Sequence, residues 1–330
     1  MEIQNGVPAR CEPGTAPGAE LDIEARIEAL GRQRPEVFQT VWAEAAFCVT
    51  ILASMLMAEY FVSGFNIILP FMATALDIPD QARTWPASVF SLVTGAFLLP
   101  LGRLADILGA RLVFVMGLAW HFIWSLAAGF SQNYVTLIVC RALQGLGPAA
   151  YLPSGIMLLG RTYRPGPRKN LVFSLYGSFS PLGFFLGIFA GGASGQSLTW
   201  RWYFWIGAIL LFLATVLAYM AVPTNHSDAR NSNIKMDWWG ASVVVPGLLL
   251  VVFALTDSSH TSDGWATPYV GITMAAGVIC LGVAVYIEGW VAEHPLLPFD
   301  LFKVRHMKPL SVSLLLSYGV FGIYLFYTSL

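Results

Sequence analysis

The chain has 330 residues, of which 56% are hydrophobic and 11% are charged, and its formal net charge is −1. A soluble domain carries about 25% charged residues, so this composition argues against a fold whose whole surface faces water. No basic cluster with interleaved aromatic residues appears, and we expect no nucleic-acid partner. None of the four cysteines belongs to a CxxC pair, so we expect no metal site and no cofactor.

Long apolar runs dominate the chain. Each has roughly 20 residues, which is enough for a helix to cross a hydrocarbon layer about 30 Å thick. The runs lack the alternation of polar and apolar residues that marks a membrane β-barrel. We therefore predict an all-α, polytopic membrane protein. The predicted spans cover residues 44–70, 85–102, 112–130, 134–160, 170–193, 203–222, 238–257, 267–287 and 309–330.

The segments outside the spans set the predicted orientation. Residues 1–43 hold no apolar signal-peptide core and predict a largely disordered tail, in which residues 20–34 form either a short amphipathic helix or part of the tail. With the N-terminus in the cytosol, the external loops carry only Arg83 and Arg201 as basic residues. The internal segments, including the loops 223–237 and 288–308, carry the other basic residues apart from Arg141, which lies within span 4. The sequon at Asn225 is then internal, and we expect it to be unused.

A tight turn is predicted between spans 2 and 3, in the segment Gly102–Arg111. Its glycines, Gly102 and Gly109, allow two backbones to approach closely. Asp106 can either sit at a helix N-terminus or pair with an arginine. Such a bond can be made in one conformational state and broken in another.

Charged residues within spans tend to mark transport pathways. Arg141 and Gln144 share one face of span 4, and Arg141 either faces the bundle or extends outward to the interface. Glu59 and Asn66 share a face of span 1, where Glu59 is either a proton site or a structural hydrogen-bond partner. His121, at mid-depth in span 3, is more typical of a packing residue than of a ligand or proton carrier.

Span 5 carries small residues at intervals of four, namely Gly183, Gly187 and Gly191, followed by Gly192. This spacing predicts a close-packing helix face, which either seals a gate or lets it bend. No GxSxG, HExxH or paired-aspartate signature occurs, so we predict no catalytic residues and no enzyme activity.

Three of these segments resemble motifs of the major facilitator superfamily. Residues 102–111 resemble its GxLaDrxGrk loop and match at Gly102, Leu104, Asp106, Gly109 and Arg111. Residues 137–149 resemble its span 4 motif lxxxRxxqGxgaa and match at Arg141, Gln144, Gly145, Gly147 and Ala149. Residues 183–192 resemble its span 5 antiporter motif GxxxGPxxGG, with Ile188 in place of the proline. Residues 200–204 are similar to its WRWxF segment before span 6.

The span 5 motif and the two spans after the first six resemble the 14-span drug:proton antiporters. Residues 58–70 and 161–170 resemble fungal efflux pumps of the aminotriazole-resistance and secondary-metabolite types. The resemblance implies the major facilitator fold, with a six-helix transport block at 44–222, two linker helices at 238–287 and the first helix of a C-terminal block at 309–330. It also implies that Arg141 takes part in proton coupling and that Asp106 and Arg111 belong to a conformational latch.

The resemblance implies efflux of small amphipathic molecules, driven by proton influx, across the plasma membrane or a vacuolar or vesicular membrane. Alternatives left open are uptake of a small polar nutrient and a transport-dead remnant or partner subunit. The resemblance covers residues 44–330 but only part of the family's length. We therefore expect the chain alone not to export substrate unless it forms a homo-oligomer, and its last span to be poorly anchored.

Overall fold

The computed structural model describes residues 28–79, 82–224, 236–258, 261, 264–292, 296 and 303–328. Within these residues the long elements are all helices, with no strand. In chain order they are α1 (Val41–Ala75), α2 (Trp85–Leu108), α3 (Ala110–Gly129), α4 (Tyr134–Thr162), α5 (Pro167–Ser197), α6 (Arg201–Ala221), α7 (Trp238–Ser258), α8 (Pro268–Tyr286, continued by a π-helical turn Ile287–Val291) and α9 (Met307–Thr328).

Helices α1 to α8 coincide with the first eight predicted spans, and each is long and apolar enough to cross a membrane. The predicted all-α, polytopic architecture is therefore confirmed. Helix α9 coincides with the ninth predicted span. Residues 1–27, most of the loop 223–237 with its sequon at Asn225, and part of the loop 288–308 lie outside the described residues. The division into domains stays a prediction.

Several helices are longer than predicted. Helix α1 has 35 residues and, at 1.5 Å per residue, extends about 52 Å, well beyond a 30 Å hydrocarbon layer. It begins after Thr40, whose hydroxyl accepts a hydrogen bond from the Ala43 amide at 3.2 Å. Helix α1 also continues through Pro70 to Ala75. Ile68 before the proline and Met72 after it are both buried in the apolar core.

The segment 102–111 corrects the prediction of a loop. Helix α2 continues to Leu108 and α3 begins at Ala110, so Gly109 alone separates the two helices. Its φ of 99° is one that a side chain would strain, and only glycine adopts it readily. The Gly109 amide still bonds the Ala105 carbonyl at 3.0 Å, which ends α2 without an unpaired donor. The chain therefore changes direction within one residue.

The helices pack as a bundle around buried aromatic side chains. Helix α1 lies along α5 and also contacts α6, while α4 lies between α2 and α3, and α3 contacts α6. Helices α7 and α8 form a pair that docks on α2 through α7. The largest buried apolar side chains come from α1, α2, α3, α4 and α6 and include Phe47, Phe61, Phe65, Phe90, Phe114, Tyr151, Tyr203 and Phe204.

The outer faces of the helices are apolar, as expected for contact with lipid. Phe189 of α5 and Met220 of α6 are among many large apolar side chains that project from the bundle. Helix α9 is the least packed element, because its side chains from Leu310 to Val320 are exposed apart from Ser311. The weak anchoring that the sequence predicted for the ninth span stays a prediction.

Candidate functional site

A cavity of about 1080 Å³ opens between α1, α2, α5, α7 and α9. Its wall combines apolar side chains with hydroxyl and amide groups, and Glu59 is the one carboxylate among the residues that line it. The lining residues are Glu59, Val62, Asn66, Ala87, Ser88, Ser91, Leu92, Ser180, Pro181, Phe184, Phe185, Val252, Thr256, Ser317 and Tyr318. The size and the mixed lining are those of a small-molecule site.

Glu59 and Asn66 both face this cavity, as their seven-residue spacing on one helix predicted. The Ser180 hydroxyl of α5 donates a hydrogen bond to Glu59 Oε1 at 3.1 Å. The Asn66 side-chain amide donates to the Val62 carbonyl at 3.1 Å, one turn earlier in α1. Within the part of the chain that the structure describes, Glu59 is therefore held by a single neutral donor, which leaves its carboxylate available to a ligand or to a proton.

Arg141 lies inside the bundle rather than at the interface or in the cavity. Its side chain is 1% exposed, which excludes an outward extension to the lipid interface. Its Nε donates to the Pro86 carbonyl of α2 at 3.2 Å, and a terminal nitrogen donates to the Phe61 carbonyl of α1, also at 3.2 Å. One arginine of α4 thus binds the backbones of two other helices.

Aromatic rings complete the surroundings of Arg141. The guanidinium carbon lies 4.0 Å from the centroid of the Phe65 ring and 4.4 Å from that of Phe90. The π-faces of the two rings partly replace the water that the cation has lost. No carboxylate of the described residues forms an ion pair with Arg141. The cation is therefore balanced by carbonyl oxygens and rings instead of an acid.

Hydrogen bonds extend from Arg141 to α3. A guanidinium nitrogen donates to Gln144 Oε1 at 3.3 Å, and Gln144 Nε2 donates to the Ser125 hydroxyl at 2.9 Å. The Ser125 hydroxyl in turn donates to the His121 carbonyl at 2.7 Å, and His121 Nδ1 lies 3.2 Å from the Tyr151 hydroxyl. We call these five residues the buried polar junction. It connects α3 and α4 through polar groups shielded from water.

Asp106 pairs with an arginine, which is one of the two alternatives that the sequence left open. Asp106 lies 3.5 Å from Arg161, in the last turn of α4, and does not pair with Arg111. A terminal nitrogen of Arg111 instead donates to the Tyr219 carbonyl of α6 at 2.9 Å. Asp106 belongs to the last turn of α2, so it does not begin a helix. The segment therefore ties α2 to α4 and α3 to α6.

Gly102 belongs to the same contact region. A Cβ at this position would lie 3.3 Å from Pro153 Cβ of α4, so the absence of a side chain brings α2 and α4 together. The four predicted latch residues thus lie at helix contacts on one end of the bundle. Their role in a conformational change stays a prediction.

Three of the four predicted glycines of α5 form its contact with α1. Added Cβ atoms at Gly183, Gly187 and Gly191 would overlap the carbonyls of Leu56, Tyr60 and Gly64, respectively. Gly192 does not belong to this face, since a Cβ there would meet no atom within 4 Å. The reason is the helical rotation of about 100° per residue, which turns Gly192 away from α1.

A buried ion pair at the start of α1 was missed in the sequence. Glu44 is 6% exposed and accepts hydrogen bonds from Arg168 Nε at 2.8 Å and from an Arg168 terminal nitrogen at 2.6 Å. The Tyr163 hydroxyl donates to the same carboxylate at 3.0 Å. Burial, with the neighbouring Cys48 and Glu44, raises the pKa of Tyr163. The sequence offered one signal for this ion pair: an acid, Glu44, at the start of span 1 and several arginines, Arg168 among them, in the loop after span 4.

The helical bundle, the cavity and the polar groups buried within apolar helices define a multi-pass integral membrane protein of the transporter type. The chain belongs to the Major Facilitator Superfamily, whose family model matches residues 49–330. The resemblance stated from its motifs is therefore confirmed.

Several of the proteins to which the chain is similar are fungal transporters. The chain is 36% identical to a low affinity ammonium transporter of Saccharomyces cerevisiae, over 90% of this chain and 58% of that protein. It is 33% identical to the efflux pump terJ of Aspergillus terreus, over 96% of this chain and 60% of that protein. It is 32% identical to the aminotriazole resistance protein of Saccharomyces cerevisiae, over 89% of this chain and 55% of that protein. The chain thus spans little more than half the length of these relatives.

A solved structure shares the fold. The crystal structure of the peptide transporter POT in complex with sulfate matches 79% of this chain and 55% of its own, with a TM-score of 0.54 and 17% sequence identity. At this identity the likeness concerns the fold alone. It agrees with the helical bundle described above.

Proposed function

We propose that the protein exports small amphipathic molecules in exchange for protons by alternating access. The observation that carries the proposal is the cavity, in which one carboxylate faces hydroxyl groups and aromatic rings. An amphipathic molecule buries its apolar part against Phe184 and Phe185 and places its polar group near Glu59, Ser180 and Asn66. The named efflux and resistance relatives favour export as the direction.

Proton coupling in this proposal depends on groups in two places. Glu59 lines the cavity and accepts one hydrogen bond, from Ser180, among the described residues, so protonation and ligand binding compete for the same oxygen atoms. Arg141 is buried and joins three helices, so its bonds must change if those helices move relative to one another. Ligand binding at Glu59 and rearrangement at Arg141 then become coupled steps of one cycle.

Movement of the helices requires contacts that can separate. The exposed Asp106–Arg161 pair is such a contact, because it holds α2 against α4 at one end of the bundle only. The glycine face of α5 against α1 is a second, since it lets the two backbones slide without displacing large side chains. We assign the first contact to a latch and the second to a gate.

Uptake of a small cation is the second candidate. The single carboxylate of the cavity and the relative named as an ammonium transporter both favour it. The large apolar part of the lining favours export of an amphipathic molecule instead, because ammonium has no apolar part to bury.

The direction of flux separates the two candidates. The complete gene product is expressed in a pump-deficient yeast, and inside-out vesicles with an acidic lumen are supplied with rhodamine 6G. We expect the dye to accumulate in the lumen and to leave when a protonophore dissipates the pH gradient. Intact cells are tested in parallel with methylammonium. Accumulation of methylammonium without accumulation of the dye contradicts the export proposal, and vesicles without the protein provide the background.

A further inference from the structure

His121 is a buried titratable group to which the transport mechanism above gives no role. Its side chain has no exposed surface and lies among rings from three other helices. The centroid of its ring is 4.6 Å from that of Phe61 in α1, 5.8 Å from that of Phe90 in α2 and 5.9 Å from that of Tyr151 in α4. The imidazole therefore sits where four helices meet.

One nitrogen of His121 is bonded and the other is not. Nδ1 lies 3.2 Å from the Tyr151 hydroxyl, whereas Nε2 is buried and has no hydrogen-bond partner among the described residues. Buried polar atoms in native proteins are nearly always paired, so an unpaired one calls for an explanation. If Nδ1–H donates to the Tyr151 oxygen, the free Nε2 carries a lone pair and can accept a proton.

His121 and Arg141 share their surroundings. The Phe61 carbonyl accepts a hydrogen bond from Arg141, and the Phe61 ring packs on His121. The Phe90 ring contacts both side chains. Two cations in such a buried site repel one another strongly. Arg141 therefore opposes a positive charge on His121 for as long as its guanidinium stays between these helices.

The remaining ionisable groups near His121 are few. Tyr151 of α4 is its hydrogen-bond partner, and Tyr203 of α6 packs on the Phe61 ring and interacts electrostatically with Arg141. Glu59 of α1 acts electrostatically on Tyr151 from the cavity side. The neighbour from α2 is Phe90, which has no ionisable group. Among these groups the imidazole is the one whose ordinary titration lies near physiological pH.

We propose that His121, in addition to Glu59 in the cavity, binds a transported proton within the buried polar junction and that Arg141 controls when it does so. The guanidinium cannot release a proton itself, and Glu59 faces the cavity instead of the junction, so coupling of a proton to the movement of Arg141 needs a titratable group beside Arg141. When helix movement withdraws Arg141 from the Phe61 and Pro86 carbonyls, Nε2 takes one proton from a hydronium ion of the external solvent, which becomes water, and the ring gains one positive charge. Return of Arg141 expels that proton to water on the cytosolic side, which forms hydronium there and leaves His121 neutral. This inference rests on the proposed function for its place in transport.

The control of His121 protonation by the charge of Arg141 is tested on the purified protein, without a transport assay. The protein is labelled with ¹⁵N-histidine, which marks all five histidines, and His121→Asn identifies the signal of His121. Imidazole ¹⁵N shifts are recorded from about pH 8 to about pH 5.5, the range in which an ordinary histidine titrates. We expect His121 to stay neutral in the wild type and in Arg141→Lys, and to become protonated in Arg141→Gln.

The lysine and glutamine variants separate charge from packing, since both lose the guanidinium and only lysine keeps a cation. Three outcomes overturn the proposal: His121 titrates in the wild type, His121 titrates equally in both variants, or His121 does not become protonated in Arg141→Gln. Each result can be obtained from a protein that does not export any dye, so it is independent of the proposed direction of transport.

A second measurement covers the case in which Arg141→Gln does not fold. His121→Asn keeps a polar atom near Tyr151 but cannot titrate, and we expect the maximal exchange rate to lose its dependence on pH. His306→Asn is the matched control, because His306 is exposed and its φ of 69° is one that asparagine tolerates. A maximal rate that changes with pH in His121→Asn as it does in the control overturns the proposal.

Discussion

The Asp106 carboxylate lies 3.5 Å from the Arg161 guanidinium, so the acid of the segment between α2 and α3 binds the end of α4. Both side chains are partly exposed, at 32% and 44%, so the pair contributes only about 0–1 kcal/mol to folding. A contact that is weak and confined to one end of the bundle is suited to break and re-form during a transport cycle.

Asp106→Asn should therefore slow turnover more than it weakens substrate binding. We expect the maximal rate to fall on the order of fivefold, which corresponds to about 1 kcal/mol of lost coupling. Initial rates against substrate concentration in vesicles give the maximal rate and the KM. Arg32→Gln, which breaks the exposed Arg32–Glu28 pair, is the control. A raised KM at an unchanged maximal rate contradicts the prediction.

Arg141→Ala should abolish exchange of substrate for protons while the protein is still made, because three helices lose their common bond donor. Arg141→Lys keeps the charge but cannot reach both carbonyls and Gln144 with one ammonium group, and we expect at least a tenfold loss, given about 1.5–3 kcal/mol per charged hydrogen bond. Exchange is measured in vesicles with an imposed pH gradient.

A matched arginine shows whether the loss is specific to this site. Arg164 is exposed and lies 3.5 Å from Glu36, so Arg164→Lys should retain wild-type exchange. Wild-type rates in Arg141→Lys would mean that the charge alone, rather than the planar arrangement of its donors, is required.

Glu59→Gln should remove the pH dependence of substrate affinity, because glutamine keeps the size of the side chain and its bond to Ser180 but cannot ionise. The KM is determined across pH in the wild type, in Glu59→Gln and in Ser180→Ala, which removes the hydrogen bond and keeps the carboxylate. A KM that varies with pH in Glu59→Gln as in the wild type would assign Glu59 a structural role.

Gly187→Ala and Gly192→Ala should differ in stability although both lie on α5. The first places a methyl group 2.6 Å from the Tyr60 carbonyl, and we expect a loss of about 1–3 kcal/mol from overpacking. The second meets no atom within 4 Å and should be neutral or stabilising by up to about 1 kcal/mol. Thermal unfolding of the purified variants gives the comparison, and equal midpoints would contradict it.

Glu44→Ala should be among the more destabilising single changes at the start of α1. It removes the carboxylate that accepts from Arg168 and Tyr163, and leaves Arg168 with the Arg32 carbonyl as acceptor. We expect a loss of about 2–4 kcal/mol, less than for a fully buried pair because Arg168 is 30% exposed. Tyr163→Phe removes one neutral donor and should cost only about 1 kcal/mol. Chemical unfolding of the two variants side by side tests the ranking.

The sequence by itself determined the membrane class, the positions of the spans and the family. Its apolar runs are long enough to cross a bilayer, and helical periodicity is sufficient to place Glu59 and Asn66 on one face. These properties are local, since they follow from spacing along a single helix. The small-residue face of α5 was visible for the same reason at Gly183, Gly187 and Gly191.

Only the tertiary structure decided which groups meet. Glu44 and Arg168 are 124 positions apart, and their pairing follows from α1 lying along α5. Asp106 pairs with Arg161, and Arg111 does not take part in that pair. Arg141 points into the buried polar junction instead of the cavity. Both outcomes depend on the rotation of each helix about its own axis, because that rotation directs the side chains. That rotation is set by the packing of neighbouring helices, which spacing along one chain segment does not encode.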